Sequence, residues 1–169
     1  SRYPGSDAIE AGTRLNMGLT YTQENHNGLS LGVTVGRIYR FDGDNTFTQG
    51  SGLDGPQSDW MISGQVRTIS GITLQNRALL DDDFKVEKNE TILGLQRQNA
   101  LWDARFTWLA PDPSEGRTEN TSEVSLNGQW DIRDGWQARI DARYDFANNR
   151  SSRTGFGLIY ANECVQFDF

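Results

Sequence analysis

Apolar and polar residues alternate at every second position in run after run of this chain, and that periodicity restricts its fold more than any other feature. Strict alternation marks a strand with one face in an apolar medium and the other in water. The cleanest run sets Trp136, Ala138, Ile140, Ala142, Tyr144 and Phe146 against Gln137, Arg139, Asp141, Arg143 and Asp145. About ten such runs can be traced, and no helical periodicity competes with them.

The first runs from Ala8 to Gln23, with Leu15, Met17, Leu19 and Tyr21 on one face. Asn27-Gly28, a strong hairpin signal, turns it into Leu29, Leu31, Val33 and Val35. After a polar loop from Asp42 to Ser58 come Trp60, Ile62, Gly64 and Val66. Ser70-Gly71 then leads to Ile72, Leu74, Ala78 and Leu80. A fifth strand opens at Phe84-Lys85-Val86. Lys88-Asn89-Glu90 interrupts its apolar face, and a bulge there would move the apolar parity to Leu93 and Leu95. Trp102, Ala104, Phe106 and Trp108 make the sixth. A loop from Pro111 to Thr121 precedes Val124, Leu126, Gly128, Trp130 and Ile132. Asp134-Gly135 turns into the eighth strand, and Asn148–Arg153 is expected to be a loop before Phe156, Leu158 and Tyr160. A corner at Asn162–Cys164 leads to Val165, Phe167 and Phe169.

Connections this short imply an antiparallel meander, because parallel strands need long crossovers. In a meander the odd-numbered connections share one end of the sheet. Here those are all short turns, whereas the other end receives the Asp42–Ser58 loop, Asp81-Asp82-Asp83, the Pro111–Thr121 loop and Asn148–Arg153. Outer-membrane barrels have the same one-sided loop lengths. All five tryptophans fall near strand ends: Trp102, Trp130 and Trp136 beside short turns, Trp60 and Trp108 beside long loops, as two aromatic girdles would require. The expected fold is therefore all-β, an up-and-down meander spanning residues 1–169 as one barrel region. A soluble sandwich explains the alternation equally well, but not the loop asymmetry or the tryptophans.

Composition agrees. No run approaches the roughly 20 apolar residues of a membrane helix, and 36% hydrophobic residues suits strands that are apolar on one side only. A net charge of −7 without a basic stripe excludes a nucleic-acid partner. Ser1-Arg2-Tyr3-Pro4 has none of the apolar core of an export signal, so an exported protein is expected here in mature or internal form.

Catalytic chemistry is poorly represented. His26 is the single histidine and sits in a turn, away from any nucleophile or metal-ligand set. Asp81-Asp82-Asp83 lacks the ligand spacing of a calcium loop and reads as a solvated turn. Glu87 and Glu90 have no evident acid–base partner, and nothing calls for a cofactor. Arg139, Asp141, Arg143 and Asp145 are candidates to line an aqueous lumen. Cys164 is either a small buried residue or, at the short-turn end, a thiol facing an oxidising compartment.

Tyr3-Pro4-Gly5-Ser6-Asp7-Ala8-Ile9-Glu10-Ala11-Gly12-Thr13-Arg14 resembles a hallmark stretch of the LptD family of lipopolysaccharide-assembly proteins, also called organic solvent tolerance proteins. Gly50-Ser51-Gly52-Leu53-Asp54 and Ser58-Asp59-Trp60 resemble its following loop and strand, and Tyr160-Ala161-Asn162-Glu163-Cys164 its C-terminal cysteine segment. The resemblance implies a non-enzymatic translocon in the Gram-negative outer membrane, surrounded by outer-membrane lipids, that assembles lipopolysaccharide into the outer leaflet. It implies two protein partners, an LptE-like lipoprotein plug and an LptA-like periplasmic bridge. It also implies a disulfide from Cys164 to an N-terminal periplasmic region. Family members are much larger, so this chain is expected to be the later part of a bigger barrel. A stand-alone porin-like barrel for small solutes is the alternative, and an outer-membrane hydrolase a weaker one.

Overall fold

The computed structural model describes residues 12–42, 47 and 49–169. The opening motif and the start of the first expected strand, up to Ala11, lie outside the described residues. Ten strands form one sheet in chain order: β1 (Arg14–Glu24), β2 (Ser30–Arg40), β3 (Trp60–Arg67), β4 (Ile72–Leu80), β5 (Val86–Arg97), β6 (Ala100–Leu109), β7 (Thr121–Arg133), β8 (Trp136–Asp145), β9 (Arg150–Ala161) and β10 (Gln166–Asp168). Every pairing is antiparallel and joins chain neighbours. Among the described residues β1 and β10 do not pair, so the sheet is an open arc, without the closure a stand-alone pore needs.

Register places the apolar residues of successive strands side by side. Leu19 lies opposite Val35, Val35 opposite Ile62, and Ile62 opposite Ala78. Farther along, Phe106 faces Val124 and Val124 faces Tyr144. One face is thus predominantly apolar, and it is open to its surroundings: Leu19 and Phe156 are each 71% exposed. A water-soluble sheet would cover such a face.

Three bulges adjust the alternation. The extra residue in β5 is Glu87, since Leu79 pairs with Lys88 and Leu80 with Val86. The expected parity change is therefore real, but it occurs one residue before Lys88. Ile132 in β7 and Ser152 in β9 are the other two. The second corrects the loop expected at Asn148–Arg153. Strand β9 already begins at Arg150, because a bulge lets the hairpin close around residues 146–149. The loop asymmetry thus rests on residues 41–59 and 110–120.

Short turns are held by glycines in the left-handed region. Gly28 (φ 71°) closes a turn by donating its N–H to Asn25 O. Gly71 (φ 82°) accepts from Gln96 N across the β5 end.

Candidate functional site

The face opposite the apolar one is mostly polar. Five successive strands curve around a hollow of about 460 Å³ lined by Thr20, Thr34, Ser63, Gln65, Gln75 and Arg77, among others. A small residue helps keep it open: a side chain at Gly32 would meet nothing within 4 Å. Paired side chains cover its floor. The Thr20 and Thr34 hydroxyls are 3.0 Å apart, and Gln75 donates to Gln65 at 3.2 Å.

At its edge lies a charged triad invisible to simple alternation. Glu90 is 5% exposed; its Oε2 accepts from Arg77 Nη2 at 3.0 Å, and Oε1 lies 3.4 Å from Arg105 Nη1. The second contact is an ion pair by distance but is misaligned as a hydrogen bond, and Arg105 Nε makes none. Sequence reading left Glu90 without a partner because its face depends on the bulge at Glu87. Once that is known, Arg77 is its direct cross-strand neighbour.

The candidate lumen residues extend this face. Asp141 pairs with Arg153 at 2.5 Å, and Arg143 Nε lies 3.4 Å from Glu123 Oε1. Asp145 accepts from Asn148, capping the β8–β9 turn, and Arg139 sits exposed between Gln129 and Gly157. Opposite charges alternate along this wall, which suits a polar filling over a single anion.

The two long loops lean over the polar face at one end. Short 3-10 turns at Gln49–Ser51 and Pro113–Glu115 meet there, and a side chain on Gly50 would collide with Asp112 and Glu115. Arg117 pairs with Glu115 and lies 4.0 Å from Asp112. Beneath them Lys88 (2% exposed) and Leu109 (8%) are buried. Two carboxylates and two cations gather here, so the cluster is close to balanced. Asp59, at the mouth of this region, is pushed up to about 6, first by burial and then by repulsion from Asp54, Glu87, Asp81 and Asp82. Asp81 serves its own turn, accepting from Asp83 N and Lys85 N. No group of three or more metal-ligating side chains occurs among the described residues.

The tryptophans lie near the strand ends on the apolar face. Trp102 stacks on Trp130 at 5.4 Å beside the short turns, and Trp136 contacts Tyr160 at 5.0 Å. At the long-loop end Trp60 carries the Arg37 guanidinium 5.2 Å above its ring, and Trp108 closes β6. Cys164 is exposed at the β9–β10 turn, where its N–H and that of Val165 donate to Asn162 Oδ1.

An exposed apolar face between two aromatic levels, a polar concave face, and loops that are long at one end only define an arc of a transmembrane β-barrel. Residues 1–136 match the family model described as LptD, LPS transport system D, and the chain belongs to that family. It is accordingly a non-enzymatic component of lipopolysaccharide transport, located in the Gram-negative outer membrane. A comparison with curated proteins finds no match.

Proposed function

We propose that this chain is one arc, residues 1–169, of a larger barrel that receives lipopolysaccharide from an LptA-like periplasmic bridge and assembles it into the outer leaflet. The observation that carries the reading is one predominantly polar face shared by successive strands of an open arc in a chain of this family. That face lines the lumen, with Arg139, Asp141, Arg143 and Asp145 toward the sugar and phosphate groups or toward an LptE-like plug. The acyl chains stay outside, because drawing charged sugars through hydrocarbon is costly. In this reading Trp60 and Trp108 form the outer girdle, and Trp102, Trp130 and Trp136 the periplasmic one. The short turns face the periplasm, where an oxidising compartment would permit the exposed Cys164 to pair with a cysteine elsewhere in the protein.

Conditional depletion tests the reading: lipopolysaccharide should disappear from the cell surface and accumulate inside it. Normal surface lipopolysaccharide after depletion would sink the idea. Photo-cross-linkers at Arg139 and Arg143 should capture lipopolysaccharide or plug, while one at Leu19 captures membrane lipid. For Cys164, non-reducing electrophoresis of the intact protein should show a mobility shift that Cys164→Ser abolishes.

A further inference from the structure

The apolar face carries a polar cluster across β4 and β5. Asn76 in β4 lies opposite Thr91 in β5, and Asn89 opposite Ala78, so all three side chains share the face of Leu74, Leu93 and Phe106. They form a closed group. Asn76 Nδ2 donates to Thr91 Oγ1 at 2.8 Å and to Asn89 Oδ1 at 3.3 Å. Thr91 Oγ1 donates to Asn89 Oδ1 at 3.3 Å, and Asn89 Nδ2 reaches Asn76 Oδ1 at 3.5 Å. One N–H of Asn89 and several acceptor lone pairs are left over. Beside them Gly64, opposite Asn76, leaves a notch in the wall. Unmet amide groups in hydrocarbon are costly, so this patch calls for a polar group from its surroundings.

Depth says which group. Asn89 is the cross-strand partner of Trp108, which stands at the long-loop interface. Thr91 and Asn76 lie one pair further in, about 6–7 Å along a tilted strand and about 5 Å deeper in the bilayer. A plain acyl chain offers only methylenes there. A glycolipid whose chains carry β-hydroxyl or β-acyloxy oxygens offers hydrogen-bonding oxygens just below its amide and ester linkages.

We propose that Asn76, Asn89, Thr91 and the Gly64 notch form a binding site on the outer wall of the barrel for the root of a β-hydroxylated or β-acyloxylated chain of an outer-leaflet glycolipid. The site lies on the surface opposite the lumen, and its orientation rests on the proposed function, which places the long loops outside the cell. A patch serving a second membrane protein would need the same donors but would show no preference among lipids.

The test is native mass spectrometry of the intact protein, with any partner that copurifies, in detergent micelles containing magnesium. The probes are hexa-acylated lipid A, an analogue with the same number of plain acyl chains, and phosphatidylethanolamine. The wild-type protein should retain lipid A about tenfold better than its plain-chain analogue, the factor expected for one or two net hydrogen bonds. Asn89→Leu with Thr91→Val should remove that preference without changing phosphatidylethanolamine retention. Equal retention of lipid A and its analogue by wild type overturns the proposal and needs no variant to fold. An unchanged preference in the double variant, or loss of a copurifying membrane protein in place of lipid, also overturns it. Surface delivery of lipopolysaccharide, read separately by depletion, tells a failure of the transport reading from a failure of this site.

Discussion

Replacing Glu90 by alanine asks what holds the polar wall together. Two arginines converge on this carboxylate, and two criteria rank them oppositely. By distance Arg77 is the stronger partner, at 3.0 Å against 3.4 Å. By burial Arg105 matters more, because its side chain is 26% exposed and that of Arg77 is 48%. Freed from Glu90, Arg77 can turn toward water, and its loss resembles that of a surface ion pair, about 1 kcal/mol or less. Arg105 would remain largely enclosed without a counter-charge, which costs about 2–4 kcal/mol. Glu90→Ala should therefore destabilise by about 3 kcal/mol, with Arg105→Ala costing clearly more than Arg77→Ala. The coupling energy for the 90–105 pair should exceed that for the 90–77 pair. Urea unfolding of the refolded protein in micelles, followed by tryptophan fluorescence, measures all of these. If Glu90→Ala is neutral, or the 90–77 coupling is the larger, then distance outweighs burial on this wall and the reasoning fails.

Three further outcomes follow from other parts of the molecule. Asp59 is raised to about 6 when folded, against an ordinary value of 3.8. Its ionised form is disfavoured by folding, so the long loop should become more protected from hydrogen exchange as pH falls from about 7 toward 4, and Asp59→Asn should abolish that trend. Gly71→Ala forces a side chain onto a left-handed residue and drives its Cβ to 1.9 Å from Gln96 O. It should cost about 2–4 kcal/mol in the same urea assay. At Gly128 an added Cβ would lie 2.3 Å from the Trp102 ring. Gly128→Ala should therefore part Trp102 from Trp130 and shift the fluorescence, at a cost of about 1–3 kcal/mol.

Much of the fold was legible because alternation and turn chemistry are local. Trp60–Arg67 and Ile72–Leu80 flank the Ser70-Gly71 turn signal, and alternation alone predicts both to within a residue. Bulges are the exception. An extra residue at Glu87 or Ser152 leaves only a phase change, which a polar interruption or a loop mimics equally well. The sites followed the same division. The alternating charges of β8 could be read directly, whereas the Glu90 triad and the Asn76–Asn89–Thr91 group could not. Both need the register between β4 and β5, and that register is set by the bulge. The seating of one long loop on the other was equally hidden, since nothing in Gly50 announces Asp112 as its neighbour.

That seating has a consequence for how the surface formed by the long loops can vary. Gly50, Asp112, Glu115 and Arg117 are interlocked above Lys88, so a substitution in either loop changes the ground on which the other stands. The two loops must drift as a pair, and most single changes at their contact will be purged before any antibody or phage can select them. Escape variation should collect instead in the turn at 146–149, where a substitution leaves the interlocked pair intact.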